Sequence, residues 1–271
     1  MSNLQELHDF AVDLARTAMA TMAASKPQPD DAATKKDPAD WVTPFDQAIE
    51  RHTRSEIARR YPQHRVIGEE YGAADSPSTG TFTWYVDPID GTTNFVHGLP
   101  WASFSLAGYD EHGVAVGVVA DAARAEVLSA VRGGGAWING EPARCGSATG
   151  LAGGILLTEW SGNQPWPGMF DVLTQVAARF GATRIMGSCA LALASVGVGR
   201  AAGALLPGRY NLWDVAAGAL IAREGGAHVS AKDGVDEGVP ADGVLAAVPG
   251  AADEILGLWR AAAPAAAVGA S

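Results

Sequence analysis

The stretch Trp84-Tyr85-Val86-Asp87-Pro88-Ile89-Asp90-Gly91-Thr92-Thr93-Asn94-Phe95 constrains this chain most. Its first half predicts a buried strand, because Phe82, Trp84, Tyr85 and Val86 are aromatic or β-branched and uncharged. Pro88 is expected to end that strand, since it has no N–H for a ladder and fixes its own φ. Two acids, Asp87 and Asp90, flank the stop, and Gly91 follows, where a tight turn or a close backbone approach needs no side chain. A strand end with two carboxylates, a turn and hydroxyls suits a hard cation. Mg²⁺ takes oxygen ligands and leaves room for water and substrate phosphate. The same residues also make an ordinary solvated turn, and the segment alone leaves both readings open. A calcium loop is excluded. With Gly91 at loop position 6, positions 1, 3 and 12 fall on Val86, Pro88 and His97, none of them suitable.

A chain of 271 residues buries a sizeable core as one large domain or two lobes. Its 48% hydrophobic content with mixed charges predicts a soluble globular protein. The net charge of −11 argues against a general nucleic-acid surface, though not against an anionic substrate, because divalent cations invert local charge. Cys145 and Cys189 have no paired spacing, which excludes a zinc pattern and fits a reducing compartment. With no signal-like or eighteen-residue apolar run, a cytoplasmic protein without membrane contact is expected.

Leu4, Leu7, Ala11, Leu14, Ala15 and Ala18 form an apolar stripe at helical spacing over 4–24. Residues 25–40 read as a polar, mobile connection. Thr43 and Pro44 predict an N-cap and first position for a helix that stops before Pro62. Arg65-Val66-Ile67 is a short strand delivering a second acidic pair, Glu69-Glu70, and 72–81 is a loop. Antiparallel strands follow at 102–109, 114–120, 125–131 and 136–138, with Asn139-Gly140 as a hairpin signal and Gly133-Gly134-Gly135 as a bend. Residues 141–153 read as a passage between lobes. The expected division is 1–146, an N-terminal α+β lobe with most of the acids, and 147–262, a C-terminal αβ lobe. In the second, strands at 154–158, 183–186, 203–206, 227–230 and 243–247 alternate with helices at 168–180, 189–199, 213–224 and 252–262. Residues 263–271 form an Ala-rich tail expected to be disordered.

Pro38-Ala39-Asp40-Trp41-Val42-Thr43, Val66-Ile67-Gly68-Glu69-Glu70, Trp84 through His97, and Trp213-Asp214-Val215-Ala216-Ala217-Gly218 through Glu224-Gly225-Gly226 resemble the inositol monophosphatase family. The resemblance covers residues 4–250 in order. It implies a layered αβαβα sandwich of the inositol monophosphatase and fructose-1,6-bisphosphatase type, mixing α+β and α/β character. It also implies a lithium-sensitive, Mg²⁺-dependent phosphomonoesterase and a homodimer. It places two to three Mg²⁺ on Glu69, Asp87, Asp90, Asp214 and the carbonyl of Ile89. Thr92 with Asp46 would orient the attacking water, and Glu70 would support the metals. Gly91 and Thr92 would receive phosphate through their N–H groups. Asp90, Asp214 and the Gly187-Ser188-Cys189 segment would meet substrate, and Lys35 or Lys36 would lie on a loop covering the metals. Ser188 is also an ordinary N-cap, and both roles can hold at once. His97 and Cys189 read as structural, since a metal-activated water makes a further nucleophile unnecessary. Asp40 reads as a surface acid.

Two positions depart from the family pattern. Pro207 stands where a Glu commonly holds sugar-type hydroxyls, seven residues before the last ligand, with Arg209 and Tyr210 as possible substitutes. Phe45 replaces a Thr beside Asp46. The expected substrate is a small phosphate ester. Inositol 1-phosphate comes first, with histidinol phosphate, a sugar bisphosphate or 3′-phosphoadenosine phosphate as alternatives. A non-catalytic metal-binding regulator is disfavoured by the retained Thr92 and Asp46.

Overall fold

The computed structural model describes residues 2–25, 27, 32–34, 41–74, 76–77, 80, 82–235, 238–240 and 242–262. The chain begins with helix α1 (Ser2–Ala24), a short ladder of β1 (Ala33–Thr34) and β2 (Trp41–Val42), and α2 (Pro44–Arg60). Then come β3 (Arg65–Gly68), β4 (Thr83–Asp90), α3 (Thr92–Val96), β5 (Ser103–Asp110), β6 (Gly113–Asp121), β7 (Glu126–Val131), β8 (Gly135–Ile138) and β9 (Glu141–Ala143). The rest is β10 (Ile155–Thr158), α4 (Met169–Ala178), β11 (Ala182–Ile185), α5 (Cys189–Gly197), β12 (Gly203–Pro207), α6 (Leu212–Glu224), β13 (His228–Ser230), β14 (Gly243–Ala247) and α7 (Pro249–Ala261). The expectations for Lys35, Lys36, Asp40 and the 263–271 tail lie outside the described residues.

Strands β3 to β9 form a seven-stranded sheet in sequence order, and the second sheet runs β11-β10-β12-β14-β13. Only β3–β4 is parallel in the first sheet, whereas β10 lies parallel to both β11 and β12 in the second. Helices α1 and α2 cover one face of the first sheet. Helices α5 and α6 lie between the sheets, and α4 and α7 close the far face. This is the expected αβαβα order.

The middle layer explains much of the small-residue composition. Ala190 through Gly197 and Val215 through Ala222 are buried all round, because each helix meets a sheet on both sides. A Cβ on Gly218 would come within 2.7 Å of the Ala190 carbonyl and 2.8 Å of the Leu193 Cβ. Close approach of α5 and α6 therefore depends on glycine. It also brings the N-terminus of α5 near the N-terminus of α6.

Three expectations are corrected. Pro88 does not end its strand. Regular pairing with β5 runs to Asp87, breaks at Pro88 and Ile89, and resumes at Asp90 opposite Ser103. Proline's missing N–H is absorbed by this irregularity, which leaves Asp87 and Asp90 on either side of it. The expected passage at 141–153 begins with a strand, β9, paired to β8 through the Asn139-Gly140 turn. The last helix starts at Pro249 rather than 252, because proline suits a first helical position.

The glycine-rich bend at 133–135 carries an unexpected partner. The N–H groups of Gly133 and Gly135 donate to the Glu224 carboxylate at 2.8 and 3.0 Å, fixing the end of α6 to the first sheet.

Gly218→Ala is expected to cost about 1–3 kcal/mol, as overpacking in a filled interior does. Equilibrium denaturant unfolding measures it, and wild-type stability would show that α5 and α6 are not held in tight contact.

Candidate active site

Each acid reaches the site by a different local device. Thr43 caps α2: its Oγ1 accepts from the N–H groups of Phe45 and Asp46, while the Asp46 Oδ2 accepts from the Thr43 N–H at 2.8 Å. The other Asp46 oxygen, Oδ1, lies 3.3 Å from the Thr92 Oγ1. One carboxylate thus closes a capping box and faces the turn after β4. Thr92 Oγ1 also lies 2.9 Å from the Ile89 carbonyl. Phe45 meets Phe95 edge-on at 6.1 Å, so its departure from the family pattern is absorbed in packing.

Glu69 and Glu70 follow β3 in a turn pinned from below. The buried Glu50 carboxylate accepts from the N–H groups of Glu70 and Tyr71 at 2.8 and 3.2 Å. Arg54 pairs with Glu50 at 2.8 Å and donates to carbonyls of the same turn, including Gly72 and Ala74. Gly91 has φ +93, and a Cβ there would lie 2.8 Å from the Gly187 carbonyl. Both reasons anticipated for a glycine, conformation and close approach, therefore apply.

Asp90 is buried and points across to the start of α5. Its Oδ2 accepts from the Ser188 hydroxyl at 2.6 Å and the Ala190 N–H at 2.7 Å, at the start of α5. Ser188 is also the N-cap, accepting from Leu191, so its hydroxyl is spent inside the protein. Asp214 lies in the first turn of α6 and accepts from the Asn211 N–H at 2.8 Å. Ser105 ties this turn to β5 by donating to the Trp213 carbonyl at 2.8 Å.

The acids converge electrostatically. Asp87 is pushed well above the ordinary carboxylate range by burial, then by Glu69, Asp90 and Asp214. Burial raises Asp90 to about 7, partly offset by Ser188 and Ala190. Asp214 is raised to about 7 by burial and then by Asp90, and burial raises Asp46 to about 6 against the bonds from Thr43. Acids that raise one another are a donor set for cations, which would reverse the sign of the local field. Among the described residues no three acid, His or Cys side chains close into a ready cage. The array is open, which suits Mg²⁺, an ion that keeps several waters.

Other expected residues are placed as follows. Gly187 is exposed beside Asn94 and Gly91. Cys189 is half-buried, with its thiol pushed well above the ordinary value by burial and the surrounding acids. His97 is exposed and edge-on to Trp41 at 6.1 Å. Pro207 ends β12 and is buried, and Arg209 turns to solvent in an exposed pair with Asp242 at 3.2 Å. Three residues near the site escaped the sequence reading: Glu50, Arg54 and Glu159. The spacing of Glu50 and Arg54, four apart on a helix, was a usable signal. Glu159, directly after a buried parallel strand, had only its position at that strand's C-terminal end.

The model of the inositol monophosphatase family matches residues 3–262. The chain belongs to that family. The Nus factor SuhB of Pasteurella multocida (strain Pm70) is 38% identical, over 92% of this chain and 93% of its own length. Human inositol monophosphatase 1 is 32% identical, over 82% of each chain. The solved structure of the Thermotoga maritima IMPase superposes with a TM-score of 0.84 at 31% identity, covering 96% of this chain and 97% of that one. The family is one of phosphomonoesterases, in general Mg²⁺-dependent.

A carboxyl raised by folding stabilises the fold while it is protonated, and that contribution fades as pH rises through the folded value. Asp90 and Asp214, moved from 3.8 to about 7, set the window. In chelator the melting temperature is expected to fall as pH rises from about 4, the unfolded value, to about 7, the folded value, and saturating Mg²⁺ should cancel the fall. A melting temperature that climbs with pH in chelator would contradict the burial of these acids.

Proposed function

We propose that this family member hydrolyses a small phosphate monoester with Glu69, Asp87, Asp90, Asp214 and the Ile89 carbonyl as the metal-binding set. The observation that carries the reading is that Glu69, Asp90 and Asp214 all act on the buried Asp87, so acids from β4, from the turn after β3 and from the first turn of α6 meet at one place. When bound, two to three Mg²⁺ would supply Lewis acidity toward phosphate and lower the pKa of a water. The chain's own residues orient the reactants. The Thr92 hydroxyl lies 2.9 Å from the Ile89 carbonyl and 3.3 Å from Asp46; with that carbonyl given to a metal, its single proton would go to Asp46 and its lone pairs to the attacking water. The N–H groups of Gly91 and Thr92, at the opening of α3, have no helical acceptor and serve the phosphate. Glu70 supports the metal set from a turn held by Glu50.

Inositol 1-phosphate is the first substrate of this reading, and histidinol phosphate, a sugar bisphosphate or 3′-phosphoadenosine phosphate are the alternatives. Pro207 supplies no side-chain acceptor, so discrimination by hydroxyl recognition is weak. Arg209 sits in an exposed pair of small energy and remains available to a second anionic group. A homodimer in a cytoplasmic setting completes the reading, in keeping with the unpaired Cys145 and Cys189. Among the described residues no helix is long and apolar enough to cross a membrane. A non-catalytic role is less well supported, because Thr92 and Asp46 face each other as the reaction requires.

Phosphate release with and without Mg²⁺ tests the activity directly. Asp87→Asn is expected to lower it by about 10²-fold or more with the fold kept, and near wild-type turnover in the folded variant would remove Asp87 from the metal set. Thr92→Ala should lower kcat far more than metal affinity. If only the metal requirement rises, Thr92 is a cap.

Selectivity is read from kcat/KM across the four esters named above. The expected spread is small. A preference for inositol 1-phosphate of about 10³-fold, roughly 4 kcal/mol, would refute the weak-discrimination reading. A comparable preference for a doubly anionic ester, lost in Arg209→Ala, would assign selectivity to the arginine.

A further inference from the structure

Glu159 is a buried acid with no cation beside it. It is 3% exposed, and among the described residues no Lys, Arg or His pairs with it. Its carboxylate is held by backbone: Oε2 accepts from the Gly187 N–H at 2.7 Å and Oε1 from the Met186 N–H at 3.3 Å. The stability of the fold alone gives no reason for an acid here. Burying a carboxylate is costly, and a neutral side chain of the same shape is usually tolerated as well or better.

The peptide unit it grips is gripped from both ends. The Met186 carbonyl accepts from the Asn94 amide at 2.6 Å, while the N–H of the same peptide, on Gly187, donates to Glu159. Asn94 also donates to the Trp101 carbonyl at 2.7 Å, so it is itself anchored in the first sheet's layer. Gly187 then takes φ +85, which turns its carbonyl toward Gly91. The next residue, Ser188, delivers its hydroxyl to Asp90, and Ala190 adds its N–H. A rotation of the 186–187 peptide would move Ser188 and release the Asp90 oxygen.

We infer that Glu159 is a positioning residue: together with Asn94 it locks the 186–187 peptide, and through Ser188 it sets the orientation of the Asp90 carboxylate. The inference rests on the reading of Asp90 as a metal ligand. Partners that orient a metal ligand through hydrogen bonds commonly matter ten- to a hundredfold in metal affinity or activity.

The test compares wild type with Glu159→Gln. The amide keeps the shape but sets N–H against N–H at one of the two backbone bonds. Mg²⁺ affinity by calorimetry, melting temperature in chelator, and kcat and KM are measured on both. The expected result is a chelator melting temperature near wild type, Mg²⁺ affinity weakened about tenfold, and kcat lowered about ten- to a hundredfold with KM little changed. A folded Glu159→Gln protein with wild-type Mg²⁺ affinity and kcat would overturn the inference. If that variant does not fold, Glu159→Asp decides: it keeps the charge but is one methylene too short to reach both N–H groups, and unchanged Mg²⁺ affinity there overturns the inference equally. A wild-type chain that binds no Mg²⁺ overturns both this inference and the reading of the metal set. Wild-type binding with an unaffected variant overturns the inference alone.

Discussion

Gathering like charges away from water is the constraint around which this structure is arranged. Asp87 and Asp90 are both buried, and the groups that act most strongly on Asp87 after burial itself are other acids. Such a cluster is unfavourable in the metal-free chain, and Asp87, Asp90 and Asp214 resist ionisation there. It persists because the surrounding fold over-determines it. A protein that only needed stability would place apolar residues here, so the cluster points to cations that the fold is built to receive.

Backbone N–H groups, rather than basic side chains, do most of the holding. Glu50 accepts from Glu70 and Tyr71, Asp90 from Ala190, Asp214 from Asn211, and Glu159 from Met186 and Gly187. A backbone donor fixes a carboxylate oxygen without adding a full charge that would compete with a cation. Where a guanidinium is used, at Arg54, it acts on Glu50, one step away from the converging acids. The division is physically sensible. Full positive charges beside the converging acids would neutralise their negative field, whereas amide dipoles leave it standing.

Much of this was legible in the sequence, for identifiable reasons. The helical stripe of α1, the Thr43-Pro44 start of α2 and the Asn139-Gly140 turn carry local rules that tertiary contacts did not override. Pro88 misled because a lone proline is compatible with either a strand end or an irregularity inside a ladder, and the choice depends on β5, which sequence spacing does not reveal. Convergence of Asp214 with the β4 acids likewise came only from family resemblance, since more than a hundred residues lie between them. Glu159 stayed invisible because its role depends on the conformation of a peptide far along the chain, and no periodicity or motif marks that.

The middle helical layer shows how composition and chemistry meet. Helices α5 and α6 are buried on all sides, so they need small residues, and Gly218 permits the contact that sets their spacing. Their N-termini carry the Asp90 partners and Asp214 respectively. The first-turn N–H groups of both helices therefore face carboxylates, where partial positive charge offsets part of the repulsion. Spacing between two apolar helices thus helps set the distance between Asp214 on α6 and Asp90, which is held at the start of α5. An alanine-rich core that looks uninformative in sequence is in this way part of the geometry of the site.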